Sequence, residues 1–231
     1  MKKNQEWDNF AGDYDQKVYS ITSFPEKRKR IIDNIVPGKI FIAGTGSATY
    51  LNRDLIKNPL NYVVAADFNA EMFRKAQSKF TSPRMIYMYA DTTDLPFFDE
   101  FDTIISTNSI LPENPEQVQA MFDNIYKSLK KGGKFVVYLP SFDANLELTR
   151  KFPEYDLRLD ETLERVWDTT GWQTFQTEIS LRNRLAKSNF LEAKIQKIGI
   201  ESEKEAQVME DIYKFDYRNK DWFEYFVVAS K

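Results

Sequence analysis

Five short apolar runs, each followed by a turn and most by a stretch with helical spacing, constrain this chain more than any other feature. KIFIA (39–43) enters a glycine-containing turn and then a helical stretch to about Lys57, and YVVAA (62–66) ends at Asp67 before the helical NAEMFRKAQSKF. RMIYMYA (84–90) ends at Asp91, FDTIIST (101–107) precedes the helical NPEQVQAMFDNIYKSLK, and Lys131-Gly132-Gly133 ends that helix before KFVVYLP (134–140). Strands that are apolar on nearly every position bury both faces, and helices between them supply the cover. The alternation therefore predicts an α/β fold built on a parallel sheet.

The flanks add to this core. Residues 7–17 and 25–35 have helical patterns, the second closed by Pro37-Gly38. Beyond Pro140 the rhythm breaks for about forty residues: 142–152 is helical in pattern, and ERVWDTTGWQTFQTEIS reads as alternating strands around a Thr-Thr-Gly turn. LRNRLAKSNF as a helix and LEAKIQKIGI as a strand then resume the pattern, and a charged segment separates them from a last strand, WFEYFVVAS. With 231 residues and no low-complexity linker, the expected organisation is one domain (1–231) with an N-terminal helical lid (1–36) and an inserted cap (141–180).

Composition excludes much chemistry. The chain has no Cys and no His, so thiolate nucleophiles, imidazole bases and Ser-His-Asp schemes are absent and no metal site is expected. A net charge of -3 gives no basic field for nucleic acid, and the run KRKR at 27–30 is expected to be a solvated helix face. No window is apolar enough to span a membrane, and the N-terminus lacks a signal-peptide core, so a cytoplasmic protein without membrane or DNA partners is expected. Aromatics are plentiful, 18 Phe, 12 Tyr and 4 Trp, and six of them (Phe142, Phe152, Tyr155, Trp167, Trp172, Phe175) fall in the cap as a candidate aromatic lid.

The first strand runs into Gly44-Thr45-Gly46-Ser47-Ala48. Glycines there let backbone approach a ligand, and a helix N-terminus presents free N–H groups to its polar end. A dinucleotide fingerprint would place its third small residue at Thr49; here it falls on Ala48, and Asp67 closes the next strand 21 residues after Gly46. A carboxylate in that place can accept from two adjacent hydroxyls.

These motifs resemble those of class I S-adenosylmethionine-dependent methyltransferases over roughly residues 7–140 and 181–231. The resemblance implies a Rossmann-like, seven-stranded, mostly parallel sheet and S-adenosylmethionine as cofactor. It implies that Gly44, Thr45, Gly46 and Ala48 form the cofactor loop, that Asp67 accepts from both ribose hydroxyls, and that Phe68 and Met72 flank the adenine. It also implies that Asp91, with Thr92 beside it, accepts from the adenine amino group. Ser106 to Asn108 would lie beside the methionine portion and the reacting methyl. WDNFAGDYDQKVY is similar to the family's lid helix, with Tyr19, or else Tyr14, over the cofactor. Tyr19, Tyr14 and Asn108 are thus the candidate catalytic residues. One position departs from the pattern: Ile42 stands where the family usually carries an acidic residue near the cofactor's amino group.

The resemblance implies methyl transfer to a nitrogen or oxygen of a small molecule. The alternatives are a methyltransferase acting on protein or RNA, or a non-catalytic descendant binding the cofactor or a partner. An alcohol acceptor would need a carboxylate base, for which Asp13, Asp15, Glu113 and Glu161 are candidates.

Overall fold

The computed structural model describes residues 20–155, 157–168, 171–190, 192–213 and 221–231. The lid segment with Tyr14, Tyr19, Asp13 and Asp15 lies outside them.

Among the described residues a seven-stranded sheet is flanked by helices. Its strands are β1 (Lys39–Ala43), β2 (Tyr62–Asp67), β3 (Met85–Tyr89), β4 (Phe101–Thr107), β5 (Leu129–Pro140), β9 (Glu192–Ile198) and β10 (Glu224–Ser230), in the order β3-β2-β1-β4-β5-β10-β9. The first five are parallel, and β10 inserts antiparallel between β5 and β9. A separate three-stranded antiparallel sheet, β6 (Leu159–Asp160), β7 (Arg165–Asp168) and β8 (Gly171–Thr174), occupies the region after β5.

Local chemistry sets the helix ends. α1 (Pro25–Ile32) starts on a proline, which fits the first turn because its missing N–H is not needed there. α2 (Tyr50–Lys57) starts three residues later than the glycine loop alone suggests, after Ser47, Ala48 and Thr49. α3 (Ala70–Lys79) is capped by Asn69, whose side chain accepts from the Met72 N–H, and α4 (Pro115–Ser128) by Asn114. Ser141 caps α5 (Phe142–Lys151). TEIS, expected at the end of a strand, instead opens α6 (Glu178–Lys187), because Thr177 and Ser180 form a reciprocal capping box. α7 (Glu203–Tyr213) lies within the charged segment before β10.

Two apolar layers sandwich the sheet. One face packs Ile40, Ile42, Ile105, Val136 and Phe226 against Ile31 of α1, Leu51 and Leu55 of α2 and Met209 of α7. The other packs Phe41, Ile104, Phe135 and Val137 against Phe122 of α4 and Leu181 and Leu185 of α6. The glycine pair 132–133 does not separate helix from strand as expected. β5 already begins at Leu129, and its pairing with β4 jumps from Phe101↔Leu129 to Thr103↔Lys134, so the glycines form an excursion within the strand.

The KRKR run is not the solvated face expected of it. Lys27 is 0% exposed, Arg28 is paired with Asp54 (2.7 Å) and Arg30 with Glu201 (2.5 Å), which leaves Lys29 as the exposed member. The run lies on a helix whose inner face meets acidic groups brought from α7 and β10, and tertiary pairing overrides the solvation a charge run would otherwise seek.

Candidate methyl-transfer site

β1 pairs with β2 on one side and β4 on the other, so the chain reverses its winding there, the point at which α/β sheets place a ligand crevice at the carboxyl ends of their strands. The glycine loop stands at that point. Gly44 and Gly46 have φ of 73° and 57°. A Cβ on Gly44 would lie 2.1 Å from the Ser109 Cβ, so only glycine fits beneath the loop that follows β4. Thr45 donates its N–H to the Ala66 carbonyl, and its buried Oγ1 has no partner among the described residues.

Asp67 ends β2 and is 5% exposed. Its Oδ2 accepts from the Gly46 N–H at 2.8 Å and its Oδ1 from the Asn69 N–H at 2.9 Å. A carboxylate has further acceptor capacity beyond these two bonds, which is what ribose hydroxyls require. Burial pushes the carboxyl up to about 6, against backbone N–H groups of Asn69, Gly46 and Phe68 that favour the charged form. Asp67 does not cap α3; Asn69 does. The glycine cradle, the orphan Thr45 hydroxyl and the Asp67 carboxylate together fit a nucleoside-bearing cofactor.

The other expected residues divide. Asp91 is exposed, with Oδ1 held by the Thr93 N–H and hydroxyl and Oδ2 open, while Thr92 is buried. Phe68 and Ala48 are half-buried. Met72 is 2% exposed and presents no surface to a ligand, because with Ala76, four residues on, it forms the buried side of α3. Ser106 is wholly buried; its Oγ lies 2.6 Å from the Ser109 Oγ, which itself donates to the Ala43 carbonyl, so it reaches the crevice only through Ser109. Ile42 is buried in the apolar layer, in register with Ile105 of β4.

Asn108 follows β4 at φ 50°, a backbone region that asparagine tolerates better than most side chains. Its N–H donates to the Tyr138 carbonyl and its Nδ2 to Glu224 Oε1 at 2.7 Å. Glu224 opens β10, and its Oε2 meets the Lys27 Nζ at 3.3 Å; Lys27 also pairs with Glu205 of α7 at 2.6 Å. Burial pushes Lys27 down, but Glu224 and Glu205 outweigh it and hold the ammonium above its ordinary value. Burial, with Glu205 nearby, holds Glu224 above its ordinary value against Lys27 and Asn108. With two donors aimed at its two oxygens, geometry holds it as the carboxylate. The sequence signal for this group is a lone glutamate in the apolar run EYFVVAS, and it carries no hint of its partners.

In the cap, Phe152 and Tyr155 pack toward the core and Phe142 is buried, whereas Trp167 is 44% exposed with Arg158 over its ring. Glu113 is exposed, and Glu161 is exposed and paired with Arg150, so neither is placed as a base in the crevice.

Residues 41–133 match the family described as a methyltransferase domain. Those residues carry a methyltransferase domain, and S-adenosylmethionine is its cofactor. Its fold recurs in solved structures of low identity. A protein from Methanosarcina mazei described as a SAM-dependent methyltransferase is 19% identical, with a TM-score of 0.64 over 90% of this chain and 97% of that one. One from Mesorhizobium loti, also described as an S-adenosylmethionine-dependent methyltransferase, is 16% identical, with a TM-score of 0.64 over 91% and 98%. Phosphoethanolamine N-methyltransferase 2 of Haemonchus contortus, solved with S-adenosyl-L-methionine, is 15% identical, with a TM-score of 0.63 over 90% of this chain and 52% of that one. No curated protein matches the chain. Among the described residues no cluster could hold a metal ion, and no helix is long and apolar enough to cross a membrane.

Proposed function

We propose that this methyltransferase acts on a nitrogen or oxygen of a small molecule. The reading is supported by the switch point at β1 and β4, where Asp67 accepts from the Gly46 N–H and Ser109, next to Asn108, packs against Gly44. S-adenosylmethionine supplies a methyl already activated on a sulfonium, so the protein's task is to align groups and exclude water. Gly44, Thr45, Gly46 and Ala48 cradle the cofactor, Asp67 accepts from the ribose, Asp91 and Thr92 hold the adenine end with Phe68 against it, and Asn108 stands at the acceptor side. The cofactor's amino group has no acid at Ile42, so nearby backbone carbonyls such as that of Gly44 take its place.

A small acceptor is supported by the absence of a basic face at the KRKR run. Lys27, Arg28 and Arg30 all face carboxylates, which leaves little free cationic surface there for RNA or an acidic protein. The reading is tested by heating the protein with S-adenosylhomocysteine. A ligand that binds only the folded state at about a hundred times its Kd adds about 2.7 kcal/mol, enough to raise the melting temperature by several degrees. An unchanged melting temperature at millimolar ligand overturns the reading.

A further inference from the structure

The buried Lys27, Glu205 and Glu224 group ends on Asn108, which follows β4. Ser109, adjacent to Asn108, fills the space a side chain on Gly44 would take, so Asn108 stands next to the first glycine of the cofactor loop. Its Oδ1 is buried without a partner among the described residues, while its Nδ2 is held by Glu224. A carboxylate can only accept, so Glu224 decides which end of the amide it faces: nitrogen toward Glu224, oxygen away. Glu224 is 1% exposed, and its second oxygen is committed to Lys27.

We propose that Glu224, backed by Lys27, is a positioning residue that turns Asn108 so that Oδ1 accepts a hydrogen bond from the N–H of a primary or secondary amine, making an amine the methyl acceptor. This rests on the function proposed above and narrows its substrate class. Both oxygens of Glu224 are engaged, and an amide oxygen is too weak a base to deprotonate an alcohol. An amine needs no prior deprotonation when neutral. Its nitrogen lone pair forms the new N–C bond while the C–S bond breaks with its electron pair retained by sulfur, and the resulting ammonium later gives a proton to water. The hydrogen bond to Asn108 leaves that lone pair free to face the methyl.

Sinefungin tests this without a known acceptor, because it carries an amine on a carbon in place of the methylsulfonium and so offers N–H donors at the reacting point. Calorimetric titration should show sinefungin binding the wild type about tenfold or more tighter than S-adenosylhomocysteine, as one hydrogen bond from a charged donor implies. In Glu224→Gln the amide can turn either way, and the preference should fall toward unity while S-adenosylhomocysteine affinity changes by less than about threefold. Asn108→Gly, which suits the positive φ, should remove the preference as well. If Glu224→Gln does not fold, Glu224→Asp keeps a charge for Lys27 but withdraws its oxygen from Asn108, and the same loss is expected. Equal affinity for the two ligands in the wild type, or an undiminished preference in a folded Glu224 variant, overturns the inference and leaves the proposed function standing. Failure of the wild type to bind S-adenosylhomocysteine overturns both.

Discussion

Asp67→Asn should separate what the site gives to folding from what it gives to the ligand. In the ligand-free protein the buried carboxyl titrates near 6 rather than near 3.8. A folded-state value above the unfolded one means the group contributes stability that is fully present below about pH 3.8 and lost as pH rises through about 6. The loss accrues between those limits, where the unfolded chain has released the proton and the folded chain keeps it. A shift of about two units corresponds to about 3 kcal/mol. Asn at this position does not titrate. The stability of the variant minus that of the wild type, from urea melts between pH 4 and pH 8, should therefore move in the variant's favour by about 3 kcal/mol, mostly below pH 6. Taking the difference cancels Asp54 and Glu201, which cations hold below their usual range and which act in the opposite sense. Binding should move the other way. Asn keeps one acceptor and loses the charge, so S-adenosylhomocysteine affinity should fall roughly ten- to a hundredfold at pH 7.5, and wild-type affinity should decline as pH drops through 6. A stability difference flat across pH would refute the buried-carboxylate reasoning. Unchanged affinity would move the ribose away from Asp67.

Two further outcomes follow from packing. Lys27→Met leaves Glu205 and Glu224 buried without their cation and should lower stability by about 3–5 kcal/mol in chemical denaturation, whereas a loss under about 1 kcal/mol would mean that the pair is solvated in solution. Gly44→Ala puts a Cβ into Ser109 and should abolish S-adenosylhomocysteine binding measured by calorimetry; Gly132→Ala, also at positive φ but with open space around it, should cost only about 1–2 kcal/mol and leave binding intact.

The parallel core of the sheet and the cofactor loop were legible in the sequence because their causes are local. Apolar runs of five to seven residues, glycines where φ turns positive and an Asp at a strand end are set by sterics and burial within one segment, and β1, β2 and β4 appear where KIFIA, YVVAA and FDTIIST place them. Met72 was harder to read, since one helical turn decides whether a side chain faces a ligand or the sheet, and its i, i+4 partner Ala76 settles it inward. Lys27 was not legible at all. Its partners Glu205 and Glu224 lie far along the chain, and a cation in a charge run belongs in water unless distant segments bring carboxylates to it. Antiparallel insertion of β10 between β5 and β9 brings Glu224 to Asn108 and Lys27. Sequence by itself thus determined the parallel core of the sheet and its glycine loop; the tertiary structure alone decided which charges are buried, because that depends on the desolvation and pairing of groups that no local pattern connects.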